Sequence, residues 1–262
     1  STGTTAPTRA AAWRRKCARV NANSEAVPTL WARHETEATL VDPSGRKFFL
    51  NADGVLMFRK PRQMLLRGNK DVAGLVFELG SDEQRFWMRV IPEVDTLWWG
   101  RHDEGGDTAS SDIPIRADAV LEVLGIGDIP TQLDRLPAPV MRFNNDARVY
   151  MVVWVDQVPR RFVAVREVWY DMTTFLPVKV LLFDANGRVV LRANLSDHAA
   201  VAGAKDGKIA TQYHLFFPDS QSRMTVKLSD IHVQKDGRPN ERSFPFPRES
   251  DSGRVIRVGG RP

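Results

Sequence analysis

Short runs in which apolar and polar side chains alternate constrain this chain more than any other feature of it. In residues 188–195, Val189, Leu191, Ala193 and Leu195 share one face, and Arg188, Val190, Arg192 and Asn194 share the other. In residues 223–229, Met224, Val226 and Leu228 oppose Arg223, Thr225, Lys227 and Ser229. A period of two with one wet face is the pattern of a half-buried strand. Asn, Asp and Gly punctuate these runs at Asp42-Pro43-Ser44-Gly45, Asn51-Ala52-Asp53-Gly54, Asp184-Ala185-Asn186-Gly187 and Lys235-Asp236-Gly237, where the backbone is expected to reverse. Further strands are expected over 47–51, 55–59, 85–91, 149–155, 161–170 and 178–184. Strands at this spacing predict one antiparallel meander.

Two of the strands are apolar on both faces. Val149, Met151, Val153 and Val155 oppose Tyr150, Val152 and Trp154, while Phe86, Met88 and Val90 oppose Trp87, Arg89 and Ile91. Such strands need cover on the second face, from helices, a ligand or a partner. Few helices are available to supply it. One is expected near residues 8–21, with Trp13, Cys17 and Val20 on one face. The other begins near Ser111-Asp112, has Pro114 at an early position and ends at Gly125, with Ile115, Ala119 and Val123 forming a stripe that Leu121 and Leu124 widen. It lies between the polar, glycine-containing stretch 101–112 and the proline-containing stretch 127–139, so it is placed to act as a lid over the sheet or to pack permanently on it. The organisation expected is a basic helical segment over 1–29, a single domain over 30–248 with the lid helix near 112–125, and a mobile tail over 249–262.

At 262 residues the chain can bury a core without crosslinks, and its single cysteine, Cys17, excludes an internal disulfide and a cysteine-held zinc site. No run approaches the roughly 18 apolar residues of a membrane span. The five histidines form no H-E-x-x-H or other close metal pair; there is no G-x-S-x-G elbow and no phosphate-cradling glycine loop. Neither a metal nor a cofactor is expected. Arginine and lysine outnumber acids 37 to 32, with a local excess at Arg9, Arg14, Arg15, Lys16 and Arg19. A basic surface attracts phosphates, whether of nucleic acid or of anionic lipid. Aromatics interleave with arginine in Arg85-Phe86-Trp87-Met88-Arg89 and Trp98-Trp99-Gly100-Arg101, as in single-strand binding platforms, but their apolar neighbours assign them to the core, so nucleic acid is not the expected partner.

Several segments, taken in order, carry a family resemblance. Residues 54–67, with Phe58-Arg59-Lys60-Pro61 followed at once by a second strand, resemble the strand–basic–Pro–strand element of the lipoprotein-localisation (LolA/LolB-like) family. Trp169-Tyr170-Asp171-Met172-Thr173-Thr174-Phe175-Leu176-Pro177 is similar to that family's W-x-D-x-x-T-x-x-P turn, and Phe183-Asp184-Ala185-Asn186-Gly187 to the hairpin that follows it. Residues 224–231 and Phe244-Pro245-Phe246-Pro247 resemble its last strand and F-x-F-P closure. The resemblance covers residues 30–248.

It implies a mainly β (α+β) fold: a strongly curved antiparallel sheet forming an open half-barrel, with a few helices covering the concave face. It also implies a non-catalytic role, in which an apolar cavity binds lipid or the acyl chains of a lipoprotein. The location implied is the periplasm, or the outer membrane through a lipid anchor that this chain does not carry, and the chain is expected to be a monomer. The residues expected in the cavity are Leu56, Phe58, Leu66, Phe86, Met88 and Val90 of the sheet and Val120, Leu121 and Leu124 of the lid. The family's soluble carrier has an arginine before the proline as a lid latch. Here Lys60 stands in that place with Arg59 before it, and lysine lacks the planar fork of arginine. A second role on the same scaffold is an envelope structural or interaction protein whose concave face is filled by its own side chains and which binds a protein partner. Contact of the basic N-terminal segment with a membrane surface is compatible with either.

Overall fold

The computed structural model describes residues 9–42, 44–104, 113–124, 127–131, 135–233 and 239–259. Helix α1 (Arg9–Glu25) leads into strands β1 (Thr29–Val41), β2 (Lys47–Arg59), β3 (Gln63–Lys70), β4 (Gly74–Ser81), β5 (Arg85–Val90) and β6 (Thr96–Arg101). After helix α2 (Ala117–Val123) come β7 (Ala138–Asn144), β8 (Val149–Val158), β9 (Arg161–Asp171), β10 (Pro177–Phe183) and β11 (Val189–Ser196). The two-residue strands β12 (Ala199–Ala200) and β13 (Lys208–Ile209) pair with each other; β14 (Gln212–Phe217), β15 (Ser222–His232) and β16 (Arg254–Val258) complete the chain.

Fourteen strands form one large curved sheet in the order β16-β6-β5-β4-β3-β2-β1-β15-β14-β11-β10-β9-β8-β7, and it does not close into a barrel. Two local meanders, β1–β6 and β7–β15, meet where β1 pairs with β15, bringing Ala38 opposite Met224. Among the described residues every strand pairing is antiparallel except the edge pair β16–β6, which is parallel, as is the isolated Ala202–His232 bridge. Alternation sets which side chains point inward. Leu50, Ala52, Leu56 and Phe58 of β2, Leu191, Ala193 and Leu195 of β11, and Met224, Val226 and Leu228 of β15 all join one core.

The turns at 42–45 and 184–187 are built alike. Oδ1 of Asp42 accepts from the amides of Ser44 and Arg46, and Oδ1 of Asp184 accepts from the amides of Asn186 and Arg188. Gly45 and Gly187 follow at φ +83° and +78°, a region that glycine enters without a Cβ clash. In the turn between β9 and β10, Asp171 Oδ1 accepts from the amides of Thr173 and Thr174 and from the Thr174 hydroxyl, so the W-x-D-x-x-T-x-x-P residues make a side-chain-capped turn.

The structure departs from expectation in three places. The helix expected from Ser111-Asp112 with Pro114 at an early position begins only at Ala117, Arg116 being extended and residues 113–116 non-helical. Residues 51–54 do not turn; β2 runs unbroken from Lys47 to Arg59. Gly54 is required by a close approach, since a Cβ there would lie 1.8 Å from the Arg67 carbonyl oxygen and 3.0 Å from His34 Nε2. The segment beyond Pro247, expected to be a mobile tail, instead carries β16. It is tied by its pairing with β6, by Arg254 N donating to Asp95 O, by Arg89 donating to the Asp251 carbonyl and by Arg257 bonded to Glu104 at 2.5 Å. Upstream of it, Phe244 packs on the outer face of the sheet with Leu65, Trp87 and Leu97, and Phe246 meets Trp87 and Trp99 edge-on. That strap is the cover β5 needs for Trp87. The expected turn at 235–237, most of the stretch 101–112, the expected helix boundaries at 111–112 and 125, and residues 260–262 of the tail lie outside the described residues.

Candidate functional site

α2 is short, and its buried residues Ala117, Val120, Leu121 and Val123 turn toward the inner face of the sheet, against β4 and β5. Over the N-terminal strands this contact leaves little space. Leu56 and Phe58 on β2, Leu66 on β3, Phe86, Met88 and Val90 on β5, and Val120, Leu121 and Leu124 at α2 are all buried in the same core. The structure therefore brings together the residues expected to line a cavity, and it packs them against one another.

The open space lies on the other side of α2. A cleft of about 1110 Å³ separates α2 and its flanking segments from the C-terminal strands. Its floor includes Trp154 of β8, Val163 of β9, Leu182 of β10, Phe217 of β14 and Val190 of β11, which alternation assigned to the wet face and which the register shift opposite Leu182/Phe183 brings to the cleft, and Ile113 and Leu121 face it from above. Of the expected cavity residues, Leu121 alone borders this cleft; Leu121 and Phe58 also border a recess of about 150 Å³ beside it. The floor is even-numbered on β8 and β10 because alternation sends Trp154 and Leu182 inward. A register shift at Trp154/Val155 then keeps Val163 on the same side as Arg166.

Charge sits at the walls. Arg166 spreads its guanidinium over the Trp154 ring, 4.8 Å from the centroid, and its Nη1 donates to Glu122 of α2 at 2.7 Å; its buried Nε has no partner among the described residues. Arg116 lies over the Phe86 ring and pairs with Asp118, while Arg188 pairs with Asp184 at the opposite wall. The apolar floor is thus framed by guanidinium–carboxylate pairs.

The roof is held at four points. Glu122 bonds Arg166, and the Pro114 carbonyl accepts from Ser220 Oγ at 3.0 Å. Lys60 Nζ donates to Ser24 Oγ of α1 at 2.6 Å and lies 3.3 Å from Asp128 Oδ1. Asn21 of α1 pairs its amide with Ile129 as a neighbouring strand would, donating at 2.9 Å and accepting at 2.8 Å. Lys60 thus lies between α1 and the segment after α2, whereas Arg59 points away, 3.8 Å from Glu241. Asn23 pairs in the same way with Lys208 of β13, so α1 is clamped on both flanks.

Among the described residues no three of His, Cys, Asp or Glu are placed to hold a metal ion. Cys17 is buried in the core, and burial pushes its thiol up to about 11, so little thiolate forms at neutral pH. Burial also raises the Tyr170 phenol to about 12. Phe86, Trp87 and Trp98, aromatics of the arginine-interleaved runs, are buried. No described helix is long and apolar enough to cross a membrane. Of the floor residues, alternation grouped Trp154 with Tyr150 and Val152 on one of two dry faces without ranking those faces, and Leu182 and Phe217 carried no separate signal. What alternation does not carry is which inward-facing residues a helix covers.

No family model matches the sequence, and no curated protein is similar to it. Solved structures are similar in fold. A DUF1329 family protein from Desulfovibrio piger superposes with a TM-score of 0.55 at 11% identity, over 88% of this chain and 98% of its own. An outer membrane lipoprotein-sorting protein domain from Vibrio parahaemolyticus gives 0.53 at 12% identity, over 87% and 94%. A LolA superfamily protein from Nitrosomonas europaea gives 0.50 at 9%, over 89% and 97%. The chain has the LolA-like fold.

Proposed function

We propose that this chain binds the acyl chains of a lipid or lipoprotein in the cleft beneath α2, as a non-catalytic carrier or receptor of the cell envelope, periplasmic or held at the outer membrane. The observation that carries the reading is the cleft itself: about 1110 Å³ over an apolar floor, just above the roughly 300–1,000 Å³ of small-molecule sites. The curved sheet works here as a half-barrel whose N-terminal part is filled and whose C-terminal part is the hollow. Each methylene moved from water into such a hollow contributes about 0.8 kcal/mol, so a few carbons outweigh the ties on the roof. Release follows if the Glu122–Arg166 and Ser220–Pro114 bonds re-form over the emptied floor. The fold shared with the lipoprotein-sorting domain supports the same assignment.

Native mass spectrometry of protein purified from its own envelope, together with titration of a fluorescent fatty acid, tests this. Co-purified lipid or acylated peptide is expected, and Leu121→Glu is expected to lose it with the β-sheet circular dichroism intact. An apo mass with no fatty-acid binding, or unchanged retention in Leu121→Glu, overturns the assignment. The packed N-terminal half favours a second reading, an envelope interaction protein that uses the same scaffold; a clean apo mass with a co-purifying protein selects it.

A further inference from the structure

The basic residues near the N-terminus take no part in the cleft. At 100° per residue, Arg15, Lys16 and Arg19 fall within about 100° of arc along one flank of α1, beside the stripe formed by Trp13, Cys17 and Val20. Lys16 Nζ lies 4.3 Å from the Tyr150 ring centroid and 5.2 Å from that of Phe143, and the Arg19 guanidinium lies 4.0 Å from that of Phe175. Tyr150 stacks on Phe175 at 5.5 Å and meets Phe143 edge-on at 6.3 Å. None of the three cations has a carboxylate partner among the described residues.

Phe143 belongs to β7, the strand at the open edge of the sheet, and is 63% exposed. The acids nearby are Asp146, in the turn after β7, and Asp171, whose Oδ1 accepts from the amides of its own turn and whose charge acts on Arg148. A large ring standing in water is stabilised by leaving it, and cations without counter-charges are stabilised by approaching anions. One kind of surface does both at once: an anionic membrane interface, where basic side chains meet lipid phosphates and an aromatic ring enters the headgroup layer. An acidic polypeptide would satisfy the cations and leave the ring wet.

We propose that the Arg15–Lys16–Arg19 flank of α1 and Phe143 of the β7 edge form a docking surface for an anionic bilayer. This surface is separate from the cleft, and the proposal does not depend on what the cleft holds. Flotation of the full chain with vesicles tests it, comparing pure phosphatidylcholine with phosphatidylcholine containing about one-third phosphatidylglycerol. The chain is expected to float with the anionic vesicles, to stay behind with the neutral ones, and to be released by salt. Arg15→Gln, at an exposed position, is expected to weaken partitioning about fivefold, and Arg15→Gln with Arg19→Gln about 25-fold. Phe143→Ser is expected to weaken it with the salt dependence unchanged. Equal flotation with both vesicle types, no flotation, or flotation indifferent to these substitutions overturns the proposal. Retention on immobilised polyglutamate without flotation also overturns it, in favour of an acidic protein partner.

Discussion

His34 explains a glycine that looks like a turn and is not one. Its imidazole crosses β2 above Gly54 so that Nε2 reaches the Arg67 carbonyl at 2.7 Å, while Nδ1 accepts from the Thr36 hydroxyl at 2.8 Å. This defines a neutral ring protonated on Nε2, buried on the inner face of the sheet. A Cβ at position 54 would strike backbone, which cannot swing aside as a side chain can. Gly54→Ala is therefore expected to destabilise the fold by about 3 kcal/mol, as read by urea denaturation; a loss within about 0.5 kcal/mol would show that the strands can part there. The same imidazole gives a pH dependence. Burial lowers the pKa of His34 below its ordinary 6.5, against the opposing hydrogen bond to Arg67. The unfolded chain thus takes up a proton that the folded chain refuses. Stability is full above pH 6.5 and falls as pH drops from there through the folded pKa. The melting temperature is expected to decline from pH 7 to 5, and less steeply in His34→Gln, which keeps a donor toward Arg67; the remaining slope includes His198, whose pKa burial lowers as well. Equal slopes would remove His34 from the acid response. Sequence alone does not separate the two uses of Gly54, because a glycine before a hydrophobic run signals a reversal or a close approach with the same letter.

At the scale of elements, the outer strap is the clearest case of distant residues completing a strand. Trp87 points away from the main core, and its Nε1 donates to Glu78 at 2.8 Å. Arg67 Nε donates to the same carboxylate at 2.6 Å. Phe244 and Phe246 then cover Trp87 on the outside. Phe244→Ala is expected to cost about 3–5 kcal/mol, to shift tryptophan emission to the red, and to speed amide exchange in β6 as β16 comes away. Exchange unchanged in β6 would separate the strap from the edge strand. The half-buried strands β11 and β15 could be read directly, since one wet face fixes their phase. β5 could be read as a strand with two dry faces but not as lying under residues 244–247, because burial on the second face depends on a partner far along the chain. β16 escaped for a related reason: its dry face is only two residues long, Ile256 and Val258, too short a run between Arg254 and Arg257 to announce a strand.

At the scale of the molecule, the inner face is one continuous surface used in two ways. Leu56, Phe58 and Met88 of the filled part could be named as inward from the sequence, whereas Trp154, on a strand dry on both faces, and Leu182, both in the open part, could not. Where α2 would rest was not legible, because it depends on Lys60, Asn21 and Ser220 from three separate regions, each holding a different point of the segment around α2. The sensitivity of Leu121→Glu follows from its place at the border, between the packed half and the hollow.

The seam between β1 and β15 has a temporal meaning. A strand formed near the start of synthesis keeps one edge of its backbone unsatisfied until almost the whole polypeptide has emerged, since Ala38 must wait for Met224. Hairpins within each meander close quickly, whereas this union is a long-range closure of the slow kind. During that interval the bare edge of β1 invites pairing with other chains, so any holding factor that escorts the nascent protein would be needed at its first strand.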